Sequence, residues 1–327
     1  MKQFASYHQG ARGRLALAAV IAAVAMLLSL IASPSTAATV RHKTFASPDE
    51  AVKALVAAVK AHDGKELLQI LGPGSKELVS SGDEVADKTD RERFLNSFEQ
   101  ANRLERKSAT TAVVHVGPDQ WTMPIPIVKK GSRWAFDVRK GKSEILKRRI
   151  GRNELHVIDV LDAYVDAQLE YASKDCRGGG KVEFAQRLFS SEGNRDGLYW
   201  EAKEGELQSP LGPLVAQAAK EGYAPERNLS PFHGYYFKIL KGQGKHAVGG
   251  AYHYVIKDKM LLGFALVAYP AEYGNSGVMT FIVNQAGKVY EKNLGKETRR
   301  RAESMELFDP DPTWKPVKTE QMPSRRN

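Results

Sequence analysis

Two carboxylates that stand next to aromatic residues are the side chains in this sequence best suited to chemistry. Asp196 lies in RDGLYW with Tyr199 and Trp200, and Glu272 precedes Tyr273 in AEYG. Two carboxyl groups facing one another across a groove can cleave a glycosidic bond, and aromatic rings can stack on the sugar. The pattern therefore allows one hypothesis, a hydrolase. A structural interpretation competes with it, because an Asp-Gly pair is typical of a turn and large rings commonly fill a core.

No established catalytic or metal-binding signature accompanies these residues. The chain holds one cysteine, Cys176, which excludes paired-cysteine metal motifs, and it has neither an HExxH helix nor a Gly-x-Ser-x-Gly turn. His233, His246 and His253 fall in the region of the predicted strands, where three imidazoles could bind zinc, but no spacing requires them to meet. We predict no metal and no cofactor, and we keep His233 as a third member of the hydrolase hypothesis.

The densest group of polar side chains is Arg148, Arg149, Arg152, Asn153 and Glu154, near the start of a long predicted helix. Arginine side chains at this spacing could clamp a carboxylate or a phosphate through paired N–H groups. The same residues could instead cap the helix and lock two domains together. The sequence leaves both interpretations open, and we take this group, with the aromatic residues named above, as the candidate binding residues.

Most of the net charge comes from one segment. The formal charge of the chain is +10, and residues 129–152 contain ten Lys or Arg against two acids, Asp137 and Glu144, a local excess of eight (10 − 2). Such a segment favours anionic partners such as lipid head groups, cell-wall polymers or an acidic protein face. A solvated basic surface without a ligand is the alternative. We expect no nucleic-acid partner, because no aromatic pattern interleaves the basic residues.

The first 38 residues have the order of an export signal. Lys2, Arg12 and Arg14 precede an apolar run over residues 15–28, and small residues follow Pro34. Cleavage after residue 37 or 38 fits the small-x-small rule. We therefore predict export to the periplasm or the extracellular side of a bacterial envelope, with no stable membrane anchor once the signal is cleaved. An uncleaved anchor is the alternative.

The 289 residues that remain (327 − 38) are enough for two domains. In residues 39–143, helix patterns come first, and Ser47 and Pro48 are typical cap and first-turn residues for the first of them. A short helix in KELLQILG and another over about residues 90–102 follow. The runs TTAVVHVG, WTMPIPIVKK and SRWAFDV then predict antiparallel strands. Helices followed by such a sheet make an α+β domain, and their order resembles the NTF2-like fold.

Residues 144–308 combine a long helix with a β-meander. The helix pattern predicts one buried stripe, made by Leu155, Ile158, Leu161, Val165 and Leu169. Short helices are predicted in VEFAQRLF and SPLGPLVAQAAKEG, and five strands in GYYFKIL, AYHYVIK, MLLGFALVAYP, GVMTFIVNQ and KVYEKNLG. A helix followed by an aromatic meander is similar to the heads of pilins and pseudopilins. The rest, 309–327, has the composition of an extended tail.

Several strings carry a resemblance to a known family, among them TFASPDEAVKALVAAVKAHD, RIGRNEL, SPLGPLVAQA, FHGYYFKIL, VAYPAEYGNSGVMTFIVN and FDPDPTWKPV. In this order, over about residues 44–317, they resemble an exported bacterial family catalogued as domain of unknown function 2950. The resemblance implies no activity, cofactor or site. Members of the family carry an acidic loop where this chain has KDCRGGGKVEF, so most of the oxygen ligands that calcium would need there are replaced.

Together these observations favour a non-enzymatic envelope module that binds a protein or a cell-wall component. The basic segment of residues 129–152 and the surface of the meander are its expected contact regions. The alternative is an envelope hydrolase acting on cell-wall glycan or peptide, with Asp196, Glu272 and His233 at its site.

Overall fold

The computed structural model describes residues 41–176, 182–224 and 230–317 of the chain. The predicted export signal, residues 177–181 with the glycine run 178–180, and residues 318–327 lie outside those ranges. Within them, helices and mostly antiparallel sheets are mixed along the chain, so the predicted α+β class is confirmed. Among the described helices, none is both long and apolar enough to cross a bilayer.

The first helices begin at polar capping residues. Helix α1 spans Pro48–Lys60 and begins after the predicted cap residue Ser47, whose hydroxyl accepts the backbone N–H of Glu50. Helix α2 spans Gly64–Leu71 and α3 spans Lys76–Val79. Helix α4 spans Glu84–Gln100 and begins six residues earlier than predicted, because the carboxylate of Asp83 caps it.

An antiparallel sheet follows these helices. Its strands are β1 (Asn102–Ser108), β2 (Thr111–Val116), β3 (Trp121–Thr122), β4 (Ile127–Lys130) and β5 (Arg133–Phe136), paired in the order β1-β2-β4-β5 with β3 also on β2. Strand β1 was not predicted, since NRLERKS has one apolar residue and no alternation. Its pairing with β2 along nearly its whole length supplies what its side chains do not.

The first hydrophobic core lies among these helices and strands. It is called core 1 here, and its fully buried members include Ala51, Ile70, Ala112, Ile125 and Ile127. Phe45, just before α1, pairs with Trp134 of β5 through two backbone hydrogen bonds of 2.8 Å. The segment just before α1 is therefore held at the β5 edge of the sheet.

The long helix α5 spans Lys142–Ser173 and runs through Gly151 without a break. Of the predicted stripe, the three central residues are buried, whereas Leu155 and Leu169 are about half exposed. The face that is most buried is centred on Val157, Leu161 and Gln168. At 100° per residue, Leu155 and Leu169 lie roughly 100–140° around the helix from that centre. The predicted stripe was wrong at both ends, because regular spacing does not fix which side meets the sheet.

A second antiparallel sheet packs on α5. Its strands are β6 (Tyr235–Leu240), β11 (Ala265–Pro270), β12 (Thr280–Asn284), β13 (Tyr290–Lys292) and β15 (Lys315–Pro316), in the order β15-β13-β12-β11-β6. Shorter strands complete the meander: β7 (Gly242–Gln243), β8 (Tyr252–His253), β9 (Val255–Ile256), β10 (Lys259–Met260) and β14 (Leu307–Phe308). All five predicted strand regions contain strands.

Three segments differ from expectation or were not anticipated. VEFAQRLF is not helical, because its backbone pairs with other segments through Phe184 and Phe189. Helix α6 spans Gly212–Lys220 as predicted, and α7, Thr298–Glu303, was not predicted. Residues 309–317, expected as a tail, are packed: Trp314 is 8% exposed and β15 joins the sheet.

The second hydrophobic core, core 2, lies between α5 and the second sheet. Its largest fully buried side chains are Tyr164, Tyr171, Tyr235, Tyr254, Phe264 and Phe281. The first turns of α5 contact core 1 through Ile145, and the later turns belong to core 2. A single helix therefore takes part in both cores.

Candidate functional site

Three members of the predicted polar cluster hold the loop between β11 and β12 against α5. Arg149 Nη1 donates to Asn275 Oδ1 at 2.7 Å, and Asn153 Nδ2 donates to the Ser276 carbonyl at 2.9 Å. Glu154 Oε1 accepts two successive backbone N–H groups of the same loop, at 3.0 and 2.9 Å. These side chains use their polar groups inside the chain, which is the arrangement that the structural interpretation of the cluster describes.

Arg149 also joins α5 to α3. Its guanidinium donates to the carbonyls of Glu77 and Leu78, at 2.6 and 3.2 Å. Asn275, the side-chain partner of Arg149, donates in turn to the Ser80 carbonyl at 2.9 Å. Arg149 is 8% exposed, and this burial lowers its pKa. All its hydrogen-bond partners are neutral, so its charge is not matched by a contacting carboxylate.

The other two arginines of the cluster lie nearer the surface, each with an acidic neighbour. Arg148 Nε donates to Glu144 at 2.7 Å, and its guanidinium lies 6.0 Å from the centre of the Trp121 ring. Arg152 pairs with Asp90 at 2.8 Å. Exposed ion pairs of this kind contribute little stability and leave little free charge for a ligand.

Asp83 is a second point where the two halves of the chain meet, and the sequence analysis did not single it out. Its side chain is buried, with 1% of the residue exposed. One oxygen caps α4 by accepting the Ala86 N–H at 3.0 Å. The other accepts the Tyr223 hydroxyl at 3.0 Å and the Gly234 N–H at 2.8 Å. One carboxylate thus satisfies a helix end and two donors from the segment that precedes β6.

His233 lies beside this contact, within hydrogen-bond distance of two ionisable side chains. Its Nδ1 is 3.2 Å from Nδ1 of His156, and its Nε2 is 3.1 Å from Glu221. Burial, the His156 imidazole and the Arg152 guanidinium lower the pKa of His233 to about 4. A neutral His233 that donates through Nε2 to Glu221 and accepts at Nδ1 from His156 satisfies all three groups. The short distance to Glu221 therefore does not require a charged His233 and is consistent with its lowered pKa.

The two carboxylates of the hydrolase hypothesis occupy separate loops and share no contact among the described residues. Asp196 accepts the backbone N–H and hydroxyl of Ser191, both at 2.7 Å, and so closes a turn. Burial raises the pKa of Asp196, but these hydrogen bonds outweigh it and the net shift is downward. Glu272 is exposed and accepts the Asn275 side-chain amide at 2.8 Å. Neither oxygen pair contacts His233.

The predicted aromatic binding residues pack within the fold. Trp200 is buried and donates its indole N–H to the Leu207 carbonyl at 3.1 Å. Tyr199 is half-buried, with its ring edge-on to Phe189. Tyr273 is half-buried within the loop between β11 and β12 that α5 holds. Tyr199 and Trp200 are neighbours only because they are consecutive in the chain, and Tyr273 lies in a different loop.

The remaining histidines of the sequence analysis are also apart. His246 Nδ1 lies 3.0 Å from both oxygens of Asp309, and His253 is exposed on β8. In the ranges that the structure describes, no three His, Cys, Asp or Glu side chains are grouped as metal ligands would be. Cys176 is buried, and burial raises its pKa.

An apolar groove opens beside β6, on the face of the sheet that α5 covers. It encloses a cavity of about 130 Å³. Its walls come from α5, α6, the segments before and after α6, and the sheet. Its lining includes Val160, Tyr164, Leu188, Phe189, Leu214, Val215, Ala218, Phe232, Phe237 and Leu266. We call this the β6 groove. Helix α6 has no buried residue. Its Leu214 and Val215 are partly buried against core 2 and also line the groove.

Strand β6 is an edge of its sheet, and the outward side of its backbone is partly unpaired. The carbonyl of Gly234 accepts the N–H of Ala271, the residue that follows β11. In an antiparallel ladder the backbone groups alternate in direction, so those of even-numbered residues in β6 face β11 and those of odd-numbered residues face away. The outward N–H and C=O of Tyr235 both form hydrogen bonds with the backbone of Phe232. Within the described part of the chain, no hydrogen bond reaches the outward N–H and C=O of Phe237 or Ile239.

Sequence analysis identified the strand but not its position at the edge of the sheet. GYYFKIL has the apolar content of a central strand. Edge strands commonly carry a proline, charged residues or a bulge, and of these features GYYFKIL has only one charge, Lys238. The one available signal was in α6, where Leu214, Val215 and Ala218 form an apolar side on a helix too short to build a core alone.

A family model described as "Protein of unknown function (DUF2950)" matches residues 42–317 of the 327. The chain belongs to this family. No curated protein matches it, and no solved structure does.

Proposed function

We propose that this member of the DUF2950 family is an exported, non-enzymatic module of the bacterial envelope that binds an extended segment of another protein along β6. The observation that carries the proposal is the coincidence of two features on one strand. The outward backbone groups of Phe237 and Ile239 have no partner among the described residues, and the apolar β6 groove runs beside them.

A bound segment would add one strand to the sheet. Two outward residues offer two N–H and two C=O groups, so a partner of three to five residues can form up to four hydrogen bonds. Beyond these residues the edge is closed, since Tyr235 bonds Phe232 and Lys241 bonds both residues 254 and 306. The site is therefore a short one, set by the length of free backbone.

Side chains of the added strand would alternate between the two faces of the sheet. On the α5 face they enter the β6 groove, where Leu188, Leu214 and Phe232 present apolar surface. Each hydrogen bond adds about 0.5–1.5 kcal/mol net, and burying one Leu or Phe adds about 1.5–3 kcal/mol. The partner we expect is thus a segment with a large apolar residue at every second position.

The basic segment of residues 129–152 supports the proposed location in the envelope and does not form the binding site. Arg148 and Arg152 are paired and Arg149 is buried, whereas Lys129, Lys130, Lys140 and Lys147 are exposed. Four exposed lysines attract anionic surfaces in general, without selecting one ligand. In the proposal they keep the protein near anionic envelope polymers, and the β6 groove selects the partner.

A photo-crosslinking residue placed in α6 tests the proposal in cells. At Ala218, which lines the groove, it should give a protein adduct; at Ala219, exposed on the same helix but outside the lining, it should not. Ile239→Pro removes an outward N–H without touching the β11 ladder and should abolish the adduct. Ile239→Ala, which keeps the N–H, is the matched control.

Three results would count against the proposal. Equal adducts at Ala218 and Ala219 would mean that contact is not specific to the groove. Adducts that survive Ile239→Pro would mean that strand addition does not occur. Attachment to wall glycan instead of protein would assign the module to a cell-wall component.

A further inference from the structure

A second cavity, of about 210 Å³, lies in the first half of the chain between core 1 and the start of α5. Most of its wall is apolar, and its lining includes Leu55, Val59, Leu67, Leu71, Leu78, Val79, Phe94, Met123, Ile125 and Ile145. We call it the core 1 cavity. It shares no lining residue with the β6 groove.

One end of the core 1 cavity is polar and carries two guanidinium groups. Arg149 donates only to neutral acceptors, as described above. Arg91 donates through Nη1 to the Val79 carbonyl at 3.3 Å, and its buried Nε–H has no partner. Neither arginine has a carboxylate within 4 Å among the described residues. A buried N–H without an acceptor is costly, so a donor of this kind beside a cavity is a ready contact for an acceptor that enters it.

The acids at this end do not neutralise the two arginines. Asp87 accepts the Ser81 N–H with both oxygens, at 3.1 and 2.9 Å, and burial raises the pKa of Asp87. Asp90 is paired with Arg152. Within the described ranges, both arginines that line the polar end are therefore without a contacting carboxylate, whereas the lining Asp90 is paired with Arg152, which lies outside the lining.

We propose that the core 1 cavity binds a small monocarboxylate with an apolar body, whose carboxylate accepts the Nε–H of Arg91. Two arginines without a contacting carboxylate in the described chain favour an anion at this end, and the unpartnered donor supplies a specific contact for one of its oxygens. The apolar wall takes the rest of the molecule.

The size of the cavity limits the ligand to a short acid. A cavity of about 150 Å³ holds benzene. The additional 60 Å³ or so (210 − 150) is room for a carboxylate but not for a long chain. Hexanoate and benzoate have the required size and charge.

Binding of hexanoate, measured by titration calorimetry on the full protein, tests the assignment. Hexanoate should bind with one site per chain, and hexylamine, which has the same body and the opposite charge, should not. Arg91→Met should weaken hexanoate binding at least ten-fold. Lys88→Met removes the same charge from the same helix at an exposed position and should leave binding unchanged.

A second variant keeps the test independent of Arg91. Ile145→Phe fills the cavity from α5 and should abolish hexanoate binding while the stability of the fold is retained. No saturable hexanoate binding, or equal binding by Arg91→Met, would overturn the proposal. Binding of dodecanoate without hexanoate would assign the cavity to a lipid chain and overturn it too. Ile239→Pro, which tests the β6 groove, should leave hexanoate binding intact, so the two proposals can fail separately.

Discussion

Replacing Asp83 by alanine should destabilise the protein far more than the loss of a helix cap. The cap to Ala86 accounts for about 1 kcal/mol. The same change leaves two donors, the Tyr223 hydroxyl and the Gly234 N–H, without their acceptor in a buried place. Each unsatisfied group costs about 1–3 kcal/mol. The sum for Asp83→Ala is therefore about 3–7 kcal/mol in the free energy of unfolding.

Asp63 provides the matched control for this experiment. It caps α2 in the same way, by accepting the Glu66 N–H at 2.9 Å, but it is exposed and binds nothing from the second half of the chain. Asp63→Ala should cost about 1 kcal/mol. Denaturant unfolding of both variants gives the difference directly.

A difference of less than about 1 kcal/mol between the two variants would mean that the contacts of Asp83 with Tyr223 and Gly234 contribute nothing beyond capping. A double-mutant cycle with Tyr223→Phe separates the hydroxyl contact from the Gly234 contact. We expect a coupling energy of about 1 kcal/mol or more between Asp83 and Tyr223.

Two further predictions test other parts of the structure. The pKa of His233 is about 4 in the folded protein and about 6.5 when unfolded, so the unfolded state binds more protons between these values. Stability should fall by up to about 3 kcal/mol from pH 7 to pH 4, and His233→Asn, which tolerates the positive φ there, should remove that part of the pH dependence in denaturant titrations. Trp314→Ala should cost about 3–5 kcal/mol, because the indole is buried in core 2; a change below about 1 kcal/mol would mean that residues 309–317 are not part of the fold.

The sequence predicts the elements that end in strong local signals. Helix α1 begins at Pro48 after the cap Ser47, α2 ends just before Gly72, and the meander strands are separated by clear turns. Strand β1 fails this test, because its polar side chains carry no period and only its partner β2 makes it a strand. VEFAQRLF fails in the opposite sense: its helical spacing yields to backbone pairing with distant residues such as Met260. Local patterns cannot report pairing over long sequence separations.

The polar cluster on α5 shows what sequence reasoning can and cannot say about a site. The group at Arg149, Asn153 and Glu154 was identified correctly as unusual, but its spacing could not decide between a ligand and the chain's own carbonyls. The structure shows internal partners for all three. Arg91 carried no sequence signal at all, since its isolation follows only from where α4 packs. A polar side chain marks a ligand site when folding leaves it unsatisfied, and that is a tertiary property.

Helix α5 carries walls of both proposed sites and keeps them apart. Ile145 and Arg149 line the core 1 cavity, and Val160 and Tyr164 line the β6 groove. Arg149 and Val160 are 11 residues apart (160 − 149), which is about 16 Å along a helix. A second connection runs through Asp83, which caps α4 beside the core 1 cavity and accepts the hydroxyl of Tyr223, a lining residue of the β6 groove. The hydrogen bonds of Arg149 to α3 and to Asn275 oppose movement of α5, so any coupling between the two sites should depend on the Asp83–Tyr223 contact.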